Sequence, residues 1–235
     1  RTYGLFYYES NFIKSYLLIL GAISIIAGCI GAIYQKDLKQ IVVFNIVISL
    51  GVMVCGTATL NTFGVKGALF YAVNDILLKA ALFIVVGLII YVSGVKSLQK
   101  CGLINKYPLL GWTYFIVVLS LAGVPPFSGF YGKALIIKGL VANNNTFIAI
   151  LVALSGLVVF YSLIKVFLNV FYDNINKSLI LKPLPKGVQI PLIAIVAIAL
   201  IIGVSTNLLD GFFDKGIQMV LNPQHYIDLV LKKGA

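Results

Sequence analysis

The sequence places an acid and a lysine one helical turn apart in the middle of a long apolar stretch. Asp75 and Lys79 lie in FYAVNDILLKAALF, and Asn74 directly precedes the acid. Residues four apart share one face of a helix, so the two side chains can form an ion pair. Ionisable groups surrounded by hydrocarbon are rare and often functional. The pair is therefore either a structural ion pair or a station for protons or cations, and these residues alone leave both open.

Lys133 lies near the end of a second apolar stretch, LSLAGVPPFSGFYGKALII, which contains no acid. A desolvated ammonium without a counter-charge loses its proton more readily. The dipole of a half-helix that begins after the prolines acts in the same direction. Carbonyls freed near Leu121 to Gly123 act in the opposite direction. We expect Lys133 to gain and lose a proton; the alternative is a lysine that extends its stem to the nearer membrane surface.

The same stretch contains a motif that should interrupt a membrane helix. Proline removes backbone donors, and glycine allows unusual dihedral angles. Non-helical backbone at membrane depth is tolerated only inside protein or beside water, and discontinuous helices often mark ion sites. The alternative is a loop between two short helices, but the stretch 108–141 is longer than one straight span and shorter than two. The predicted broken-helix motif consists of Gly123, Pro125, Pro126, Ser128 and Gly129.

The composition is that of a membrane protein. Mean hydropathy is +1.04 and 11% of residues are charged, against about 25% in soluble domains. A membrane helix needs roughly 20 apolar residues. Such stretches predict an all-α, polytopic membrane protein, because backbone groups in lipid must be satisfied internally. The six stretches are 12–34, 38–60, 64–93, 108–141, 146–172 and 188–209.

The net charge of +11 indicates membrane topology and not a nucleic-acid partner. When the connections between predicted spans are assigned alternately to two sides, one side receives seven lysines and the loops of the other receive only Lys66. Short cytoplasmic loops are enriched in Lys and Arg. The loops near 35–37, 94–107 and 173–187 are therefore predicted to be cytoplasmic. The lysines assigned to that side are Lys36, Lys96, Lys100, Lys106, Lys177, Lys182 and Lys186.

Motifs for enzymatic chemistry are not recognised in the sequence. The cysteines lack metal-ligand spacing, and the single histidine, His225, lies in the polar tail. The Gly132-Lys133 pair lacks the flanking residues of a phosphate-binding loop. We therefore predict a transporter subunit without cofactor or metal and not an enzyme.

Three stretches taken together resemble the proton-translocating antiporter-like membrane subunits. QKDLKQIVVFNIV, FYAVNDILLKAALFIVVGLI and LSLAGVPPFSGFYGKALII follow the order and spacing of that family. The family includes the Mrp/Mnh-type multisubunit sodium/proton antiporter subunits and the large membrane subunits of respiratory complex I. The stretches YSLIKVFLNVFY and GAIYQKDLKQIVVFNI are most similar to the D-type subunit of the Mrp antiporters.

The resemblance implies the C-terminal part of a fold of about fourteen helices with inverted repeats. Residues 12–172 would form a five-helix transport repeat, with its broken helix at 108–141. The other implied segments are the end of a preceding helix or loop at 1–11, a cytoplasmic loop at 173–187, a last transmembrane helix at 188–209 and a polar tail at 210–235.

The resemblance also implies roles for single residues. Lys133 matches the lysine or glutamate that follows the broken-helix motif, a terminal station of the proton path. Lys79 matches a lysine of the preceding helix, and Lys39 matches the family's D-[LI]-K motif. Family members commonly carry histidine near Asn74 and Asp75, where this chain has none. Asp75 must then replace that histidine, or water must bridge the gap.

The expected function is that of a multi-pass cell-membrane subunit of a sodium or other monovalent cation/proton antiporter, assembled with other subunits. One alternative is a proton-pumping membrane subunit of an NADH:quinone oxidoreductase or a related hydrogenase. A second alternative is a scaffold subunit that keeps the fold without transport.

Overall fold

The computed structural model describes residues 10–98, 101–125, 127–172, 182–184 and 186–204. Within these ranges the chain is helical, apart from turns and an isolated β-bridge between Asp37 and Ser97. The predicted all-α class is confirmed. The helices are α1 (Ser10–Tyr34), α2 (Leu38–Ala58), α3 (Thr62–Ser93), α4 (Pro108–Ala122), α5 (Ser128–Ala142), α6 (Thr146–Val170) and α7 (Lys186–Val204), with a short 3-10 helix at Leu103–Asn105.

Some predicted segments lie outside the described residues. Of the predicted end of a preceding helix or loop at 1–11, the structure describes only the first residues of α1. Most of the loop at 173–187 and the whole tail at 210–235 also fall outside, and the last predicted helix is described as far as Val204.

Four described helices are long and apolar enough to cross a membrane: Phe12–Tyr34, Leu38–Ala58, Thr62–Ser93 and Thr146–Val170. Helices α4 and α5 differ, because each has 15 residues and is therefore about 22 Å long. A bilayer core is about 30 Å thick, so neither helix crosses it alone. The helix is interrupted between Ala122 and Ser128, within the stretch 108–141 where the sequence predicts a broken helix; that the two halves form one crossing stays a prediction.

Local signals in the sequence fix the ends of α2 and α3. The Asp37 carboxylate accepts hydrogen bonds from the backbone N–H groups of Lys39 and Gln40. Asn61 caps α3 by accepting from the Gly64 N–H at 2.7 Å. Both caps satisfy amides that have no partner inside their helix. Gly94 ends α3 in the left-handed region at φ +70°.

The connections between helices collect on two opposite sides of the bundle. Leu38 N–H donates to the Lys96 carbonyl at 2.9 Å, and the Tyr107 hydroxyl donates to the Lys182 carbonyl at 2.8 Å. The three connections that the lysine pattern groups together therefore contact one another. At the opposite end, Asn61 Nδ2 donates to the Gly139 carbonyl at 2.7 Å. The assignment of the first side to the cytoplasm stays a prediction.

Helices α3 and α5 pack with their backbones in close contact. A Cβ on Gly132 would lie 2.8 Å from Tyr71 Cβ and 3.0 Å from the Tyr71 backbone nitrogen. A Cβ on Gly139 would lie 2.6 Å from the backbone nitrogen of Gly64. Small residues permit this approach between membrane helices. The contact places Tyr71 of α3 directly against α5, one turn before Asp75 and next to the residue that precedes Lys133.

Candidate functional site

Asp75 and Lys79 form a buried ion pair at the middle of α3. Lys79 Nζ lies 2.7 Å from Asp75 Oδ2, with side-chain exposures of 8% and 6%. Lys79 Nζ also donates to the backbone carbonyl oxygen of Asn45 in α2 at 3.1 Å. The lysine thus has both a counter-charge and a neutral acceptor. A buried charge needs such partners, because its desolvation is otherwise too costly.

Two hydroxyl groups continue the contacts of Asp75 away from Lys79. Ser49 Oγ of α2 donates to Asp75 Oδ1 at 3.0 Å and lies 3.2 Å from the Tyr71 hydroxyl. Tyr71 is 3% exposed. Both carboxylate oxygens of Asp75 are therefore occupied, one by an ammonium and the other by a hydroxyl.

Lys133 is buried to the same degree as Lys79 but has different partners. Each is 7% exposed. Lys133 Nζ donates to the carbonyls of Leu121 and Ala122, each at 2.9 Å, and lies 5.7 Å from the centroid of the Tyr71 ring. The last carbonyls of a helix have no intrahelical donors and carry the negative end of its dipole. Lys133 therefore binds the end of α4 inside the bundle.

The broken-helix motif creates this position. Gly123 ends α4 in the left-handed region at φ +80°, and a Cβ added there would lie 3.2 Å from Lys133 Cδ. Gly129 allows the Ser120 carbonyl to contact the backbone of α5. Pro125 lies in the turn between the helices, Ser128 begins α5, and Pro126 lies outside the described residues.

The structure brings Lys133, Tyr71, Ser49, Asp75 and Lys79 into one continuous series of contacts. We refer to these five residues as the polar row. Gly156 of α6 lies beside it, because a Cβ there would be 3.5 Å from Lys133 Nζ. Groups on α2, α3 and α5 thus converge in the interior of the bundle.

The other predicted site residues are placed less directly. Asn74 is 1% exposed, and within the described part of the chain its Oδ1 has no hydrogen-bond partner. Lys39 has an exposed side chain at the first turn of α2. It is six residues from Asn45, or about 9 Å along the helix. The structure therefore does not bring Lys39 into the polar row.

Sequence analysis missed several members of the site. Tyr71 precedes Asp75 by one helical turn, and Asn45 and Ser49 are one turn apart on α2, so a search for polar groups at helical spacing would have found them. Asn45 Nδ2 contacts Ser162 Oγ of α6 at 3.2 Å, a pairing between helices that no local spacing reveals.

The described helical bundle combines a broken helix with a buried polar row, and its family follows from comparison with known proteins. Residues 1–159 match the family described as "NADH:quinone oxidoreductase/Mrp antiporter, TM". The chain belongs to this family. It is a multi-pass membrane protein, and the predicted resemblance to the antiporter-like membrane subunits is confirmed.

Similar proteins refine this assignment. The chain is 35% identical over 235 residues to the D-type subunit of the Na(+)/H(+) antiporter of Bacillus subtilis, covering 97% of this chain and 47% of that protein. A chain in the Mrp complex from Dietzia sp. DQ12-45-1b superposes with a TM-score of 0.90 at 21% identity, covering 97% of this chain and 51% of the other. The chain therefore spans about half the length of these relatives.

The fold is also similar to a chain of respiratory complex I from Thermus thermophilus. The TM-score is 0.77 at 22% identity, with 90% of this chain and 44% of the other covered. At 22% identity, this similarity shows only that the chain and the complex I chain share a fold.

Proposed function

We propose that this protein is a cell-membrane subunit of a sodium or other monovalent cation/proton antiporter and conducts protons through Lys133, Asp75 and Lys79. The polar row is the observation that carries the proposal, since it joins two lysines and an acid inside the membrane bundle. The similarity to the D-type Na(+)/H(+) antiporter subunit supports the choice of ions. Other subunits of the complex are the partners, and cation movement is shared with them.

The mechanism rests on interaction between neighbouring charges. Two unit charges about 8 Å apart at an effective dielectric constant of 20 interact by roughly 2 kcal/mol, which changes a proton equilibrium by more than tenfold. A protonated Lys133 therefore disfavours protonation of the Asp75–Lys79 pair, which would give that pair a net positive charge. Proton release at one centre favours uptake at the other, so protons move in sequence along the polar row.

Asn74 and Lys39 have secondary roles in this proposal. The unpartnered Oδ1 of Asn74 is a buried acceptor next to Asp75, suited to orient a water molecule in a polar interior. Lys39 is exposed at the end of α2 on the side of the 35–37 connection. We assign it to the entrance of the path and not to the buried polar row.

Substitution of Lys133 tests the proposal. In the full-length protein within its complete complex, Lys133→Ala should abolish cation/proton exchange in everted membrane vesicles while the complex still assembles. Lys138→Ala is the matched control, because Lys138 is an exposed lysine on the same helix. Exchange by Lys133→Ala at the wild-type rate, with equal amounts of complex, would reject the role of Lys133.

A subunit of a quinone-linked proton pump is the second candidate. The fold shared with a complex I chain favours it. Purification of the native complex separates the two candidates, because flavin and iron–sulfur subunits would accompany the protein only in the redox assembly. In either assembly the chain itself is a transport subunit and carries out no covalent chemistry. A scaffold without transport would show unchanged proton flux when Lys79 and Lys133 are both neutralised.

A further inference from the structure

Tyr71 contacts both ionic centres of the polar row. Its ring lies against Lys133, with 5.7 Å between Nζ and the ring centroid. Its hydroxyl lies 3.2 Å from Ser49 Oγ, which in turn donates to Asp75 Oδ1 at 3.0 Å. The side chain is 3% exposed. Neither the antiporter assignment nor the family likeness gives this tyrosine a role.

Ser49 Oγ has one proton and two acceptors for it, Asp75 Oδ1 at 3.0 Å and the backbone carbonyl oxygen of Asn45 at 3.1 Å. The ionised carboxylate is the stronger acceptor, and this sets the direction of the hydrogen bonds between the hydroxyls. Each hydroxyl has one proton and can accept from other donors. When the Ser49 proton is donated to the Asp75 carboxylate, the contact between the two hydroxyls is satisfied by the Tyr71 proton on Ser49 Oγ. The hydroxyls are then aligned in one direction, from Tyr71 through Ser49 to Asp75.

We propose that Tyr71 and Ser49 form the proton link between Lys133 and the Asp75–Lys79 pair. This inference rests on the proposed function. It gives the two hydroxyls a part in the reaction and gives the Tyr71 ring the separate task of supporting Lys133.

The transfer balances in protons and bonds. A water molecule in the protein interior accepts a proton from the Lys133 ammonium and delivers it to the Tyr71 hydroxyl oxygen, because 5.7 Å to a ring centroid is a ring contact and not a hydrogen bond. The phenolic proton moves to Ser49 Oγ, and the Ser49 proton moves to Asp75 Oδ1. Each O–H bond broken is replaced by one formed. Lys133 ends neutral, Asp75 ends protonated, and rotation of both hydroxyls restores the starting alignment.

Tyr71→Phe separates the two parts of the side chain, since it keeps the ring and removes the hydroxyl. In the complete complex in everted vesicles we expect the maximal exchange rate to fall by about 100-fold or more, the range for a lost proton-transfer group. The sodium concentration for half-maximal exchange and the amount of complex should stay unchanged. Tyr114→Phe is the matched control, because Tyr114 is also buried and its hydroxyl donates to the Leu163 carbonyl at 3.0 Å, away from the polar row. A wild-type rate for Tyr71→Phe would overturn the inference.

Ser49 provides an independent test if Tyr71→Phe reduces assembly. Ser49→Ala should lower the maximal rate to a similar extent, and Ser49→Thr, which keeps a hydroxyl, should restore it. The double variant Ser49→Ala/Tyr71→Phe should be no slower than either single variant, because members of one relay are not additive. Losses that multiply would contradict a shared relay.

The failure of this inference and that of the proposed function give different results. If Lys133→Ala exchanges normally in the same vesicles, the proposed function is rejected. If Lys133→Ala loses exchange while Tyr71→Phe and Ser49→Ala keep the wild-type rate, Lys133 conducts protons by another route, and the inference about the two hydroxyls alone is rejected.

Discussion

Among the described residues, the buried lysines Lys79 and Lys133 are stabilised in different ways. Lys79 is paired with a carboxylate on its own helix, 2.7 Å away. Lys133 is bound by two carbonyls at the end of another helix, each at 2.9 Å. Their exposures are equal, at 7%. Burial therefore does not distinguish them; the nature of the partner does.

The difference separates an anchored charge from an exchangeable one. Loss of the proton from Lys79 would leave Asp75 as an uncompensated anion, so the two groups change charge together. Loss of the proton from Lys133 leaves no unpaired charge, since carbonyls are neutral and a neutral amine still has hydrogens to donate. We therefore assign the first proton release to Lys133, and its acceptance to the Asp75–Lys79 pair, whose two groups change charge together.

The largest expected effect comes from removing the counter-charge of Lys79. Asp75→Leu leaves a buried ammonium without its carboxylate, which typically costs about 3–5 kcal/mol of free energy of unfolding. We expect a large fall in the amount of assembled complex and in its thermal stability, measured on the purified complex.

The double variant Asp75→Leu/Lys79→Leu is the control for this prediction. It removes both charges and should recover most of the assembled complex, although it should not exchange ions. Normal stability of Asp75→Leu alone would show that Lys79 does not depend on the pair.

A smaller effect is expected at the contact between α3 and α5. Gly132→Ala places a methyl group 2.8–3.0 Å from the Cβ, Cα and nitrogen atoms of Tyr71, and such overpacking costs about 1–3 kcal/mol. Because the overlap is largely with backbone, α5 must move away from α3. The cation/proton exchange rate should fall strongly while the thermal stability of the complex falls little. The reason is that the substitution separates Lys133 from Tyr71 but leaves Asp75 and Lys79 paired on one helix.

Gly87→Ala is the matched control for Gly132→Ala. Gly87 lies on the same helix as Tyr71, and an added Cβ would meet no atom within 4 Å. This variant should keep both stability and exchange. Equal losses in Gly87→Ala and Gly132→Ala would contradict the importance of the α3–α5 contact.

The sequence predicts the helices well, because the length of each apolar stretch and the capping residues beside it indicate where a helix begins and ends. Helix α2 is Leu38–Ala58, against a predicted stretch of 38–60, and α6 is Thr146–Val170, against 146–172. The interruption between α4 and α5 is also local, since it follows from the prolines and from the glycine at φ +80°. These features depend on neighbours in sequence.

The polar row is only partly predictable for the same reason. The Asp75–Lys79 pair follows from helical spacing. The carbonyl of Leu121, which the broken helix is expected to free, is one of the two that bind Lys133. The contact between Tyr71 and Ser49 depends on the rotation of α2 about its axis. That helix is largely apolar on all faces, so its sequence gives little indication of which face meets α3. The motif match that assigns Lys39 to the path does not indicate its depth, and the structure places its exposed side chain at the start of α2, apart from the polar row.

The central claim is that the Lys133 amine must release its proton during turnover. Lys133→Arg tests it most directly, because a guanidinium can bind the same two carbonyls but keeps its charge at all physiological pH values. Lys138→Arg, on an exposed lysine of the same helix, controls for the effect of the larger side chain. In everted vesicles matched for assembled complex, we predict that Lys133→Arg has lost cation/proton exchange while Lys138→Arg retains it. Wild-type exchange by Lys133→Arg would contradict the claim, because a permanently charged side chain would then serve equally well.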